Sequence, residues 1–277
     1  MRIAVTGAGG GLGRAFVAAA SPAHDVHAFA RTDLDVRDHE EVVRRLVPLE
    51  ADVIVHFAAM TSVDGCETEP GRAGETNVLG SFNVAVAARR AGALLVALST
   101  DYVFDGEKGE PYDERDRPNP MSLYAWTKYA GERAAEAVAP ELLIVRTAWV
   151  FGAGNDFLSA AIRRLRAGEE VGGIVDRVGS PTHVGHLAER LLPLVGSGVR
   201  GVVHLAGSEA TTWHDVLERA KRAAGLPGAV LAQKADELGR PSPRPANSAL
   251  ASVVLPGTDV PPMPPLDEAI GRVLADV

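Results

Sequence analysis

Short, largely apolar runs alternate with longer segments whose apolar residues recur every three to four positions. Residues 3–6, 26–29, 53–57, 94–99 and 142–147 are rich in β-branched side chains and lack polar alternation. That is the pattern of strands buried on both faces of a parallel sheet. Between them, residues 12–20, 38–47, 71–91 and 122–139 carry helical periodicity. Parallel neighbours require crossover connections, so this repetition predicts a doubly wound α/β sheet.

After Gly152 the rhythm loosens. Helices are predicted near 157–167 and 184–195, a glycine-rich stretch at 171–179, and a strand at 202–206. Thr212 reads as an N-cap, with Asp215 three residues on, opening a helix to about Ala224. Residues 241–265 contain eight prolines and can hold little regular structure, and a last helix starts near Leu266. The expected organisation is a large domain over 1–150, completed by elements from about 170–206. A smaller, discontinuous, mixed α/β lobe over 151–277 then covers the substrate.

Composition narrows the function classes. At 46% hydrophobic and 23% charged residues, the chain is an ordinary globular one rather than a disordered one. A net charge of −8, with basic residues only in short Arg pairs on helical segments, argues against nucleic acid and anionic membrane as partners. The single cysteine, Cys66, excludes an internal disulfide and fits the reducing cytoplasm. No signal-like or membrane-spanning apolar stretch is present, so a cytoplasmic location is expected.

The first strand runs into Gly7-Ala-Gly-Gly10-Gly11-Leu12-Gly13. A sharp turn, close backbone approach to a pyrophosphate and tight helix–strand packing need glycines at this spacing, and the following helix N-terminus faces the anion. The expected fold is therefore a Rossmann-type sheet binding a dinucleotide. Its second strand ends Ala28-Phe-Ala30-Arg31 rather than in the acid that would hold ribose hydroxyls. Arg31 suits a 2′-phosphate, which favours NADPH, with NADH as the alternative and a plain surface arginine as the bland reading. Asp35 and Val36 remain within reach of the adenine.

Tyr124-Ala-Trp-Thr-Lys128 lies in a helical segment, so both side chains share one face a turn apart. A phenol is a poor acid at neutral pH; a neighbouring ammonium stabilises its phenolate and eases proton transfer. Ser99-Thr100 ends the fourth strand, at the edge where doubly wound sheets bind ligands, and Thr100 would orient a substrate carbonyl.

On these residues the chain resembles the extended short-chain dehydrogenases and, within them, the dTDP-4-dehydrorhamnose reductases. The other carriers are His56-Phe-Ala-Ala-Met-Thr61, Val63-Asp64, Asn77-Val-Leu-Gly-Ser-Phe-Asn83 and Ser99-Thr-Asp-Tyr-Val-Phe-Asp-Gly106. Further along come Arg146-Thr-Ala-Trp149, Gly179-Ser-Pro-Thr182, Thr212-Trp213 and Arg244-Pro-Ala-Asn-Ser-Ala-Leu250. The resemblance implies that Thr100, Tyr124 and Lys128 are catalytic. It implies cofactor contacts from Gly7, Gly10, Gly11, Leu12, Ala58, Ala59, Met60, Thr61 and Asn77, besides Tyr124 and Lys128. Val63, Asp101 and Trp149 would line the sugar site, although Trp149 also reads as plain core. Arg244 either binds a nucleotide phosphate or decorates the proline-rich loop. The implied reaction is hydride transfer from NADPH to C4 of a dTDP-4-keto-6-deoxyhexose, with Tyr124 protonating the new alkoxide.

Departures from the pattern are informative. Metal-dependent dimeric members carry glutamates where this chain has Ala15 and Gly185, so no bound metal is expected, and a monomer or a metal-independent homodimer. His183 and His186 lie three apart without a third ligand, which favours hydrogen-bonded or surface roles. Sugar-nucleotide 4,6-dehydratases need Thr-Asp-Glu; here Tyr102 replaces the glutamate, which disfavours dehydration. A nucleotide-sugar 4-epimerase and a non-catalytic NADP-binding regulatory subunit are the remaining alternatives. Arg31 argues against the first, and the intact Tyr124–Lys128 pair against the second.

Overall fold

The computed structural model describes all 277 residues. Strands β1 (Arg2–Thr6), β2 (Asp25–Phe29), β3 (Val53–His56), β4 (Leu94–Thr100) and β5 (Leu142–Thr147) match the five apolar runs to within a residue or so. With β9 (Gly201–His204) they form one sheet in the order β2-β1-β3-β4-β5-β9, every neighbouring pair parallel. Successive residues point to opposite faces, so each strand feeds two cores. Ala4, Ile54, Leu95 and Ile144 pack beneath α2 (His39–Leu46) and α5 (Gly80–Ala91). Ile3, Val55, Val96 and Val145 pack beneath α1 (Gly11–Ala20) and α8 (Val184–Gly196). Burial on both sides is why the inner strands β1, β3, β4 and β5 carry no polar alternation, whereas the edge strand β2 is largely open to solvent.

The predicted helix 71–91 is one run of three parts: α4 (Pro70–Gly74), a π-helical turn (Glu75–Leu79) and α5. Helix α6 (Leu123–Glu136) follows β4, and its Gly131 sits against the Asn77 carbonyl so closely that a Cβ would collide with it. A short helix, α3 (Val63–Thr68), capped by the Ser62 hydroxyl on Gly65 N–H, was not foreseen from periodicity.

The smaller lobe packs α7 (Phe157–Arg166), α9 (Trp213–Ala224) and α10 (Leu266–Asp276) around Phe151, Leu158, Ile162 and Val216. Its parallel strands are β7 (Glu170–Ile174), which falls in the stretch expected only to be glycine-rich, and β10 (Ala229–Gln233), for which no element was expected. Gly172 and Gly173 explain the misreading: Gln233 and His214 approach where any Cβ would stand. A second small pair joins β6 (Val150–Phe151) to β8 (Thr182–His183). Thr212 does cap α9, its hydroxyl accepting from Asp215 N–H. The proline-rich segment runs as an extended strap across the large domain, bridging to Tyr112 at Leu250 and to Val178 at Asn247.

Candidate functional site

The chain leaves β1 towards one side of the sheet and returns to β3 on the other, which opens a crevice at the carboxyl ends of both strands. A cavity of about 1130 Å³ occupies it. Gly7 has φ of +72°, and a Cβ there would lie 2.5 Å from Ala58 N. A Cβ on Gly13 would meet the Gly7 carbonyl, so the helix can approach the strand only without side chains. Gly10 caps α1 with no side-chain hydrogen bond, which leaves the first-turn amides turned to the cavity. This bare cradle at a helix N-terminus fits a dinucleotide pyrophosphate.

Gly11, Leu12, Arg31, Asp35, Val36, Ala58, Ala59, Met60 and Thr61 line the same cavity. Asp35 is committed to Arg37, which grips its carboxylate at 2.6–3.1 Å and holds it down to about 2. Arg31 reaches the cavity wall free of any carboxylate partner, a cation available to a phosphate. Asn77, expected to touch cofactor, lies outside the cavity. It is 1% exposed, its amide accepting from Met60 N–H and donating to the Met60 carbonyl and the Thr127 hydroxyl. It holds the Met60 loop in place instead. A buried chain continues behind it: the Ser81 hydroxyl bonds the Asn77 carbonyl and His56, and His56 bonds the Thr6 hydroxyl. Burial, helped by the charge of Lys128, holds the imidazole of His56 down to about 3, so it stays neutral.

Thr100, Asp101 and Tyr124 face the same space as the glycine loop. Lys128 stands behind the wall, 8% exposed, and donates to the Leu98 carbonyl at 2.7 Å. Burial pulls its ammonium down to about 8, against the pull of Glu132. Burial also holds the Tyr124 phenol well above its usual value, only partly opposed by the Thr100 hydroxyl. The expected acidification by Lys128 is therefore not the dominant influence. A phenol so placed is fully protonated at neutral pH, loaded to donate to a far more basic alkoxide. Thr100 donates to Asp101 at 3.0 Å, and Ser248, from the strap, donates to the other carboxyl oxygen. Ser248 escaped the sequence reading as an individual site residue, although it lies in the Arg244–Leu250 motif. Beneath Lys128, Glu132 is paired to Arg146 at 2.7 Å, both nearly inaccessible.

Val63 and Arg244 do not line the cavity. The first turn of α3 presents Ser62 and Gly65 there, leaving Val63 outside. Arg244 is held at 2.9 Å by Asp64 and donates to the Ser242 carbonyl, an ion pair that ties the strap to α3. Trp149 does reach the cavity, with a left-handed φ of +45°. No group of three or more His, Cys, Asp or Glu side chains is arranged to hold a metal ion.

The family model described as the RmlD substrate binding domain matches residues 1–277. The chain is 40% identical over 258 residues to the dTDP-4-dehydrorhamnose reductase of Mycolicibacterium smegmatis, covering 91% of this chain and 78% of that protein. Among solved structures, the dTDP-4-dehydrorhamnose reductase of Bacillus anthracis in complex with NADP superposes with a TM-score of 0.95 at 32% identity, covering 100% and 99% of the two chains. The dTDP-4-dehydrorhamnose reductase of Clostridium acetobutylicum gives 0.95 at 33% identity, covering 99% of each. With the whole chain matched and its glycine cradle, Thr100 and Tyr124 in one cavity, the protein belongs to the dTDP-4-dehydrorhamnose reductase family.

Proposed function

We propose that the protein reduces the C4 ketone of a dTDP-4-keto-6-deoxyhexose to the alcohol, using NADPH, in the reducing cytoplasm. The observation that carries this reading is the shared cavity of the glycine cradle, Arg31, Thr100 and Tyr124. NADPH, when bound, supplies the hydride. The open amides of α1 would receive its pyrophosphate, and Arg31 its 2′-phosphate. Thr100 orients the ketone oxygen, and Tyr124, kept protonated by burial, delivers the proton to the oxygen at C4. Lys128, one helical turn along α6 from Tyr124 and bonded to the Leu98 carbonyl, would supply a positive charge to balance the anion left after transfer. Asp101 and Trp149 border the sugar. Tyr102, its phenol pushed up to about 12 by burial, supplies no base for dehydration.

The test is turnover of a dTDP-4-keto-6-deoxyhexose, followed at the absorbance of the reduced nicotinamide. Tyr124→Phe keeps the ring and removes the acid, so kcat should fall by ~10²–10⁴ while NADPH still titrates normally. Near wild-type turnover in Tyr124→Phe would refute the mechanism. In the same assay, Arg31→Ala should narrow the preference for NADPH over NADH, and an unchanged ratio would remove Arg31 from the cofactor site.

A further inference from the structure

We propose that Trp213, which lies outside the cavity, is a positioning and specificity-determining residue that holds Trp149 against the sugar. The proposal rests on the reading that Trp149 borders the sugar.

Trp149 adopts a backbone conformation that side chains other than glycine rarely take, with φ of +45°. A residue stays in such a conformation only where its surroundings over-determine it. Two neighbours do so here. The Trp213 indole stacks on Trp149 with ring centroids 5.1 Å apart and planes 7° from parallel. Gly179 lies against the same indole so closely that a Cβ would overlap its ring atoms. Trp213 is in turn fixed from its own side. It is the first residue of α9, behind the Thr212 cap, and Phe157 meets it edge-on at 5.1 Å while Phe151 does so at 6.3 Å. Trp149 packs against the cluster of Phe104, Tyr112 and Leu250 under the large domain, whereas Trp213 packs on the core of the smaller lobe. The stack therefore carries the position of the smaller lobe to the one aromatic ring of that lobe junction that faces the cavity. It also gives a physical role to Gly179 and Trp213, one residue from each of the motifs Gly179-Ser-Pro-Thr182 and Thr212-Trp213.

A residue acting through Trp149 should alter sugar binding and spare both hydride-side binding and the chemical step. In the full-length enzyme, Trp213→Leu should raise KM for the dTDP-4-keto sugar by roughly tenfold, the scale of one lost aromatic pair with some loss of order. Changes in kcat should be smaller, and the Kd for NADPH should not move. Trp213→Phe, which keeps a flat ring, should recover most of the loss. Trp149→Ala should raise KM by itself, and adding Trp213→Leu to it should bring little further increase, because the two act as one unit. Should the leucine variant not fold, Gly179→Ala tests the same contact from below by pushing the indole away, with the same rise in KM. Independent, multiplying effects of Trp149 and Trp213, or an unchanged KM in Trp213→Leu and Gly179→Ala, would overturn the proposal. An unchanged KM in Trp149→Ala would instead show that the sugar-contact reading is wrong.

Discussion

Asp101 is 2% exposed, and burial pushes its carboxyl up to about 7 even though Thr100 and Ser248 both donate to it. An unfolded chain releases the same proton near 3.9, roughly the ordinary aspartate value. Across that window the folded protein keeps a proton that the unfolded one gives up. The stability associated with Asp101 is therefore fully present below the window and lost as pH rises towards 7, at up to about 1.4 kcal/mol per pH unit. Buried His56 and His183, held down to about 3 and about 4, work in the opposite sense, adding stability as pH rises towards the ordinary histidine range. The Asp101 contribution is thus read as a difference. In urea unfolding between pH 4.5 and 8, Asp101→Asn should gain on the wild type as pH rises, whereas parallel curves would show that Asp101 holds no proton. Spacing in the sequence singled out Tyr124, Lys128 and Thr100 as candidates because they sit on regular elements whose ends are legible, and Arg31 because it lies in the turn just past β2. It could not reveal that Asp64 occupies Arg244, nor that Trp149 turns left-handed. Those facts depend on neighbours brought from 180 residues away and from the facing lobe.

The π-helical turn between α4 and α5 shows what an irregular element contributes. It carries Asn77, whose amide makes three hydrogen bonds to Met60 and Thr127. Asn77→Ala leaves the Met60 peptide groups without those partners, at a cost of about 1–3 kcal/mol. Because Met60 lines the cavity, NADPH should also bind more weakly, while kcat at saturating NADPH stays near wild type. Urea unfolding and a fluorescence titration of NADPH check both, and an unchanged Kd would show that the Met60 loop does not bear on the cofactor. The six sheet strands and most helices were readable because a residue buried on both faces or on one helical stripe leaves an unambiguous apolar period. Strand β7 was not. Gly172 and Gly173 are there to let Gln233 and His214 approach, and glycine erases the apolar period that marks a strand.

At the scale of the molecule, helices α1 and α8 lie side by side beneath one face of the sheet, and Ala15 and Gly185, one on each helix, offer no carboxylate to a metal ion. We therefore expect exhaustive EDTA treatment to leave turnover and solution mass unchanged. Loss of either that magnesium alone restores would reverse that expectation. The doubly wound arrangement itself was legible from the first 150 residues, since alternation of strand and helix leaves few other topologies. The route of the proline-rich strap was not, because extended chain without periodicity records no partner. Yet that strap sets the order in which the working pocket can be completed. The bond from Ser248 to Asp101 spans 147 positions and that from Arg244 to Asp64 spans 180. Contacts of that sequence separation form late in folding. A chain emerging from the ribosome can assemble its glycine cradle once the first few strands are made, whereas the sugar end waits for almost the last tenth of the polypeptide. The pocket is therefore expected to complete from the glycine cradle towards Asp101.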